Sequence, residues 1–170
     1  MHHSILGLKY MHAATKFVHL DVKPENILVN EEMTIFKICD FGSALSVEDL
    51  RAESKRQGST GLANMVPRFY RPPEVVLGCH ELVSDKVDVW SLAITFLEMF
   101  FGFYMLPAQD NFELLASIFD LCAPQLPVGL FNSNAKASSD DIRVVMSNLD
   151  GNSYGSAFYE NGRVYFGRQQ

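Results

Sequence analysis

The chain has 170 residues, 48% of them hydrophobic and 20% charged, the size and composition of one globular domain, or most of one, with a sizeable core. Its net charge of −6 argues against direct binding to nucleic acid or to an anionic membrane, since both need a basic face. Three widely spaced cysteines in apolar surroundings, Cys39, Cys79 and Cys122, fit no paired or zinc-type pattern and read as reduced core thiols.

The amino terminus lacks the basic and apolar regions of a secretory signal, so a cytoplasmic or nuclear setting is expected. Ile5, Leu6, Leu8 and Met11 recur at helical spacing and predict a helix ending near Ala14. Its apolar face is already running at residue 5. Ile27, Leu28 and Val29 predict a short buried strand, residues 30–34 a turn, and residues 35–39 a second strand, so the two form a hairpin. Residues 46–64 are polar, charged and glycine-containing. They read as a mobile loop with one weak helical turn around residues 48–55. Two prolines in "RFYRPPEVVLG" forbid helix at its centre.

Ser84 is a good cap for a helix from Asp85 to about Phe100 that is apolar on nearly all sides, as befits the middle of a domain. Asp88, Glu98 and Gly102 interrupt this stretch and exclude a membrane span. Asn111 is expected to cap a further helix reaching Cys122, with Phe112, Leu115, Ile118 and Phe119 on one face. Beyond Pro127 the pattern fades. Residues 132–141 read as loop, 142–149 as helix, and the end as a hairpin turning at Asn161-Gly162.

The chemistry concentrates in "FVHLDVKPENILVNEEMTIFKICDFGSA", residues 17–44. Asp21 and Asp40 lie at the outer ends of the hairpin strands, and a hairpin brings its outer ends together. Asp40 can therefore approach the loop that carries Asp21, Lys23 and Asn26. Asn26 and Asp40 are oxygen donors suited to Mg²⁺, which keeps several waters and binds through substrate phosphates as well. A free carboxylate beside them can take a hydroxyl proton, and a lysine can neutralise charge on a transferred phosphoryl group. Taken singly, Asp21 and Asp40 would read as turn-capping carboxylates, and His12 and His19 as hydrogen-bonded structural histidines. Taken together, the residues point to metal-assisted phosphoryl transfer to an alcohol.

At this point the chain resembles the eukaryotic protein kinases. "VHLDVKPEN" looks like their catalytic loop, Asp40-Phe41-Gly42 like their metal-binding motif, "RPPE" like the end of the activation segment, and "DVWSLA" like the central helix, all in the family's order. "PRFYRPPE" and "KICDFGSA" are similar to the CMGC group, and within it to the pre-mRNA-processing and DYRK-like serine/threonine kinases.

The resemblance implies a mainly helical large lobe with a small β-hairpin, using ATP and Mg²⁺ to phosphorylate Ser/Thr hydroxyls of protein substrates. It makes Asp21 the catalytic base, Lys23 a contact to the γ-phosphate, and Asn26 and Asp40 the Mg²⁺ ligands. Arg68 would shape the pocket beside the acceptor, Glu74 would make a buried structural ion pair, and Asp88 would brace the catalytic loop through backbone amides.

The resemblance covers residues 4 to about 131 of a partial kinase domain spanning 1–170, with 132–170 poorly matched. The small lobe is missing: no Gly-rich loop, strand lysine or adenine-gripping hinge is found. The expectation is therefore a fragment inactive alone, with a partner-binding face where the small lobe would dock. The alternative is a pseudokinase or remnant that binds proteins without catalysis. Leu20 and Pro67 depart from the family pattern, standing where arginine and a hydroxyl residue are usual.

Overall fold

The computed structural model describes residues 2–122, 142–147, 154–160 and 163–168. Helix α1 (His2–Tyr10) runs into a π-helical turn, Met11–Thr15, which Lys16 closes at a φ of +62°. Four short strands follow: β1 (Phe17–Val18), β2 (Ile27–Val29), β3 (Phe36–Ile38) and β4 (Leu45–Ser46). They form two separate antiparallel ladders. In one, β2 pairs with β3, with Leu28 opposite Lys37; in the other, β1 pairs with β4, with Val18 opposite Leu45. The predicted hairpin is present, and the β1–β4 ladder was not anticipated. Of β2 only Ile27 is buried. Leu28 and Val29, whose side chains point to opposite faces of the ribbon, are both exposed, so only the Ile27 end of the strand meets the core.

The segment expected to be a mobile loop is a 19-residue helix, α2 (Val47–Met65). Its start is specified locally. The Ser46 hydroxyl accepts the Asp49 amide proton at 3.0 Å and donates to the Asp49 carboxylate at 2.7 Å, and Glu48 and Asp49 place negative charge in the first turn. Tertiary packing does the rest. Leu50, wholly buried, joins Val18, Leu20, Val66, Val75, Val83 and Val87 in one apolar cluster, and Ser54 is buried one turn later. Two buried residues one turn apart on a polar helix are a weak signal in sequence, and in the fold they anchor its first turns.

After the short helix α3 (Pro73–Val76) comes α4 (Lys86–Phe101), capped at its end by Gly102 with a φ of +78°. Ser84 does not take the cap position. Its hydroxyl accepts the Lys86 amide at 3.3 Å, while Asp85 is the residue at the cap. The helix is also less enclosed than its composition suggested. Val87, Asp88, Ser91, Leu92, Ile94 and Thr95 are buried, but Val89, Met99, Phe100 and Phe101 are exposed, as is Phe103 beyond it.

Helix α5 (Asn111–Cys122) packs Leu114, Leu115, Ile118 and Phe119 against Tyr70, Val76, Ile94 and Leu106, with half-buried Trp90 at the edge of the cluster. Asp110, not Asn111, caps this helix: its carboxylate accepts the Glu113 amide at 2.8 Å. Strands β5 (Ile142–Ser147), β6 (Tyr154–Glu160) and β7 (Arg163–Arg168) form an antiparallel sheet. Residues 142–147 are thus strand where helix was expected, in keeping with their β-branched Ile-x-Val-Val content. The β6–β7 pairing, with Glu160 opposite Arg163, is the expected terminal hairpin. Its turn and the 132–141 loop lie outside the described residues. Among the described residues, no helix is long and apolar enough to cross a membrane.

Candidate active site

The two ladders fix the site. The loop 19–26 leaves β1 and enters β2, while the loop 39–44 leaves β3 and enters β4. Pairing β2 with β3 at one end and β1 with β4 at the other forces the loops to run side by side. They are stitched directly as well. The Cys39 amide donates to the Asn26 carbonyl at 2.9 Å, and His19 Nε2 lies 3.0 Å from the Cys39 carbonyl. His19 Nδ1 accepts the Asp21 amide at 3.3 Å, so the ring proton sits on Nε2 and both contacts are satisfied. The Phe41 ring rests against His19 with centroids 5.2 Å apart.

Within the first loop the polar side chains converge on one carboxylate. Lys23 Nζ reaches both Asp21 oxygens at 2.9 Å, and Asn26 Nδ2 donates to the Asp21 carbonyl at 2.7 Å and to Asp21 Oδ2 at 2.8 Å. The 3-10 turn Pro24–Asn26 is what swings Asn26 back over Asp21. Asn26 is buried, and both of its amide protons point at Asp21, leaving its side-chain oxygen for another partner. Asp40 is exposed and left-handed, with a φ of +61°, a conformation aspartate tolerates better than most residues. Its Oδ1 takes the Gly42 amide at 3.3 Å, and a side-chain carbon at position 42 would sit only 3.3 Å from that same oxygen. Gly42 therefore keeps the carboxylate accessible.

Asn26 and Asp40 are hard oxygen donors on adjoining loops, and this donor set fits Mg²⁺. Among the described residues, no cluster of three His, Cys, Asp or Glu side chains could hold a metal by itself. A cation here would take its remaining ligands from water and phosphate, as Mg²⁺ commonly does.

Beneath the loop lies Asp88, fully buried on α4. It accepts the His19 amide at Oδ2 (2.7 Å) and the Leu20 amide at Oδ1 (2.9 Å). Leu20 itself has a φ of +68°, and its side chain is buried in the cluster that receives Leu50 of α2. Arg68 donates to the Gln109 carbonyl, and its Nε is buried without a partner.

Arg71 was not singled out from the sequence, yet it organises this region. It is buried, with Nε and Nη2 on the Val66 carbonyl at 3.1 and 2.8 Å and Nη1 on the Asn111 side chain. Asn111 is thereby held as a partner for the arginine. Tyr70 is pinned to α4 from both ends. Its hydroxyl donates to Glu98 at 2.7 Å, its carbonyl accepts from Ser91 at 2.8 Å, and burial pushes its phenol well above the usual range.

Glu74 has no cationic partner among the described residues, and burial raises its carboxyl pKa above the usual value of 4.5. The folded state then binds this proton more tightly than the unfolded chain. The ionised carboxylate, without a cationic partner among the described residues, costs stability at neutral pH, and the cost disappears as the pH falls below about 4.5, the usual value for this group. Glu74→Gln is expected to raise the melting temperature at pH 7 and to leave it nearly unchanged at pH 4. An equal change at both values would mean that the carboxylate is not the source of the penalty.

Comparison with known proteins agrees with this geometry. The protein kinase domain family model matches residues 1–149. Protein kinase MCK1 of Saccharomyces cerevisiae is 33% identical over 128 residues, which are 75% of this chain and 32% of that protein. The serine/threonine-protein kinase prpf4B of Dictyostelium discoideum is 36% identical over 110 residues (65% and 12%), and protein kinase gsk31 of Schizosaccharomyces pombe 35% over 112 (66% and 27%). The chain thus spans about a third or less of the curated relatives it matches. Among solved structures, the yeast RNA polymerase II CTD kinase CTDK-1 complex aligns with a TM-score of 0.54 at 30% identity, over 68% of this chain and 34% of that one. The chain belongs to the protein kinase family.

Proposed function

We propose that this chain is the large-lobe part of a serine/threonine kinase of the CMGC type, which transfers the γ-phosphoryl group of ATP to protein hydroxyls with Mg²⁺. The observation that carries the reading is the Asp21 carboxylate held by Lys23 and Asn26, with Asp40 on the adjoining loop. The similarity to prpf4B and gsk31 supports the serine/threonine class.

Asp21 is the group that accepts the acceptor's hydroxyl proton and orients that oxygen for attack. Lys23 sits on Asp21 and can shift its charge to a phosphoryl oxygen. Asn26 and Asp40 are the candidate ligands for Mg²⁺, which would neutralise charge on the phosphates. Asp88 holds the loop from below, and Arg68 stands near the acceptor side.

Phosphoryl transfer is positioning plus charge stabilisation. In the sequence of these 170 residues no Gly-rich phosphate motif and no adenine hinge is recognisable. The purified chain with Mg²⁺, labelled ATP and a generic acceptor protein is expected to incorporate no label. The same chain fused behind the amino-terminal lobe of a similar kinase is expected to phosphorylate serine or threonine. Label incorporated by the chain alone, and lost in Asp21→Asn, would contradict the first expectation.

A second reading, a non-catalytic binding module, is favoured by the exposed apolar side chains of Leu28, Val29 and Ile35 on the hairpin and by Pro67, which offers the loop no hydroxyl. A folded fusion that binds ATP but transfers nothing would select it.

A further inference from the structure

Helices α1 and α4 leave a groove between them that the phosphoryl-transfer chemistry does not use. They run antiparallel. His12, just past α1, puts Nε2 2.7 Å from Asp88 Oδ2 near the start of α4, while Leu8 packs in one cluster with Leu92 and Phe96 further along it. The groove encloses about 580 Å³, and none of its lining residues belongs to the loops bearing Asp21 and Asp40. Buried Leu8 and Leu92 form its floor, and Ile5 and Val89, 51% and 49% exposed, stand on its two sides. Lys86, Val89, Ala93 and Phe96 line the α4 side in steps of three and four residues. Phe100, 76% exposed, continues that stripe one turn further.

We propose that this groove docks an acidic amphipathic helix of a partner protein. Steps of three and four residues are the seam spacing of packed helices. At about 1.5 Å per residue, the stripe from Lys86 to Phe100 is about 21 Å long, the length of about four turns of a partner helix. Ala13 and Ala93, small and exposed, let its backbone approach closely. The lining comes wholly from α1, the π-helical turn, α4 and the residues at their ends, so it offers no strand edge to an extended peptide. Charge selects the partner. Lys9, Lys16 and Lys86 rim the groove against one carboxylate, Asp85, which Lys86 approaches at 3.5 Å. The rim is basic on a chain whose net charge is −6. Acidic side chains flanking an apolar seam would meet these lysines, and basic ones would be repelled. Two copies of an acidic chain repel each other, so a different protein fits the groove better than a second copy.

The test is an NMR titration of the labelled 170-residue chain with a synthetic peptide of about 14 residues, held helical by a side-chain cross-link. The peptide carries leucines in steps of three and four and glutamates flanking them. The amide signals of Leu8, Val89 and Ala93 are expected to shift together. A peptide with lysine for every glutamate should bind at least about tenfold more weakly. Lys9→Glu combined with Lys86→Glu should reverse that preference; Lys16 stays in place because it holds a φ of +62°. Ala93→Trp, which fills the groove, should abolish binding of both peptides. Shifts confined to other parts of the chain, equal binding of the two peptides, or a preference unmoved by the double substitution would overturn the proposal. So would movement of the same signals when the chain alone is concentrated, which would assign the groove to a second copy. Should the Trp variant not fold, the charge reversal decides alone. No arm needs ATP, so a failed titration leaves the kinase reading intact, and a failed kinase assay leaves the docking site intact.

Discussion

Asp88→Ala is expected to loosen the loop 19–26 and to lower stability by about 2–6 kcal/mol, since each orphaned buried donor costs roughly 1–3 kcal/mol. The two donors are the amides of His19 and Leu20, which lose acceptors at 2.7 and 2.9 Å. His12 loses its partner as well. The effect is compounded because the Leu20 amide bond holds a branched residue at a φ of +68°, a conformation that persists only where its surroundings impose it. Released, Leu20 would also withdraw its side chain from the cluster that receives Leu50, so α2 should loosen with the loop. Denaturant titration gives the loss, and amide exchange shows where it falls. A variant of parental stability with slow exchange at both amides would mean that Asp88 does not hold the loop.

Asp21→Asn, made in the chain completed with a small lobe, is expected to cut phosphoryl transfer by about 10²–10⁴-fold, the usual contribution of a positioned general base. The substitution keeps the size of the side chain and an oxygen for Lys23 and Asn26, so melting temperature and ATP affinity should change little. What it removes is the capacity to take a proton. A fall in kcat with KM preserved fits a group acting in the transition state. A variant with parental kcat would remove Asp21 from the role of base.

The β2–β3 hairpin was legible because its cause is local. Two β-branched or aromatic runs flank a polar turn, and the outer ends of a hairpin must meet. The β1–β4 ladder, which completes the confinement of both loops, has no such signature: its two pairs, Phe17 with Ser46 and Val18 with Leu45, join residues 29 and 27 positions apart. Helix α2 was hidden by Gly58, Gly61 and a run of charges that lowered its apparent helical content, although Ser46 and Asp49 carry a sound cap. Its stability comes from Leu50 entering a distant core, which no window on the segment can reveal.

Helix α4 misled in the opposite way. Its apolar composition suggested enclosure, yet a full flank including Phe100 and Phe101 is exposed. At the site, the residue types of Asp21, Lys23, Asn26 and Asp40 were readable from spacing. His12 was read as a hydrogen-bonded structural histidine, as it is, but its partner Asp88 lies 76 residues away and was not legible, and Arg71, whose partner Asn111 lies 40 residues away, was not read at all.

Paramagnetic broadening tests most directly whether the loops bearing Asn26 and Asp40 together hold a divalent cation with nucleotide phosphates. Mn²⁺ added with ATP to the labelled chain is expected to broaden the amide signals of Asn26, Ile27 and residues 40–42 first, and Asp40→Ala should abolish the effect at both loops. Broadening confined to other parts of the chain, or unchanged in Asp40→Ala, would contradict the claim.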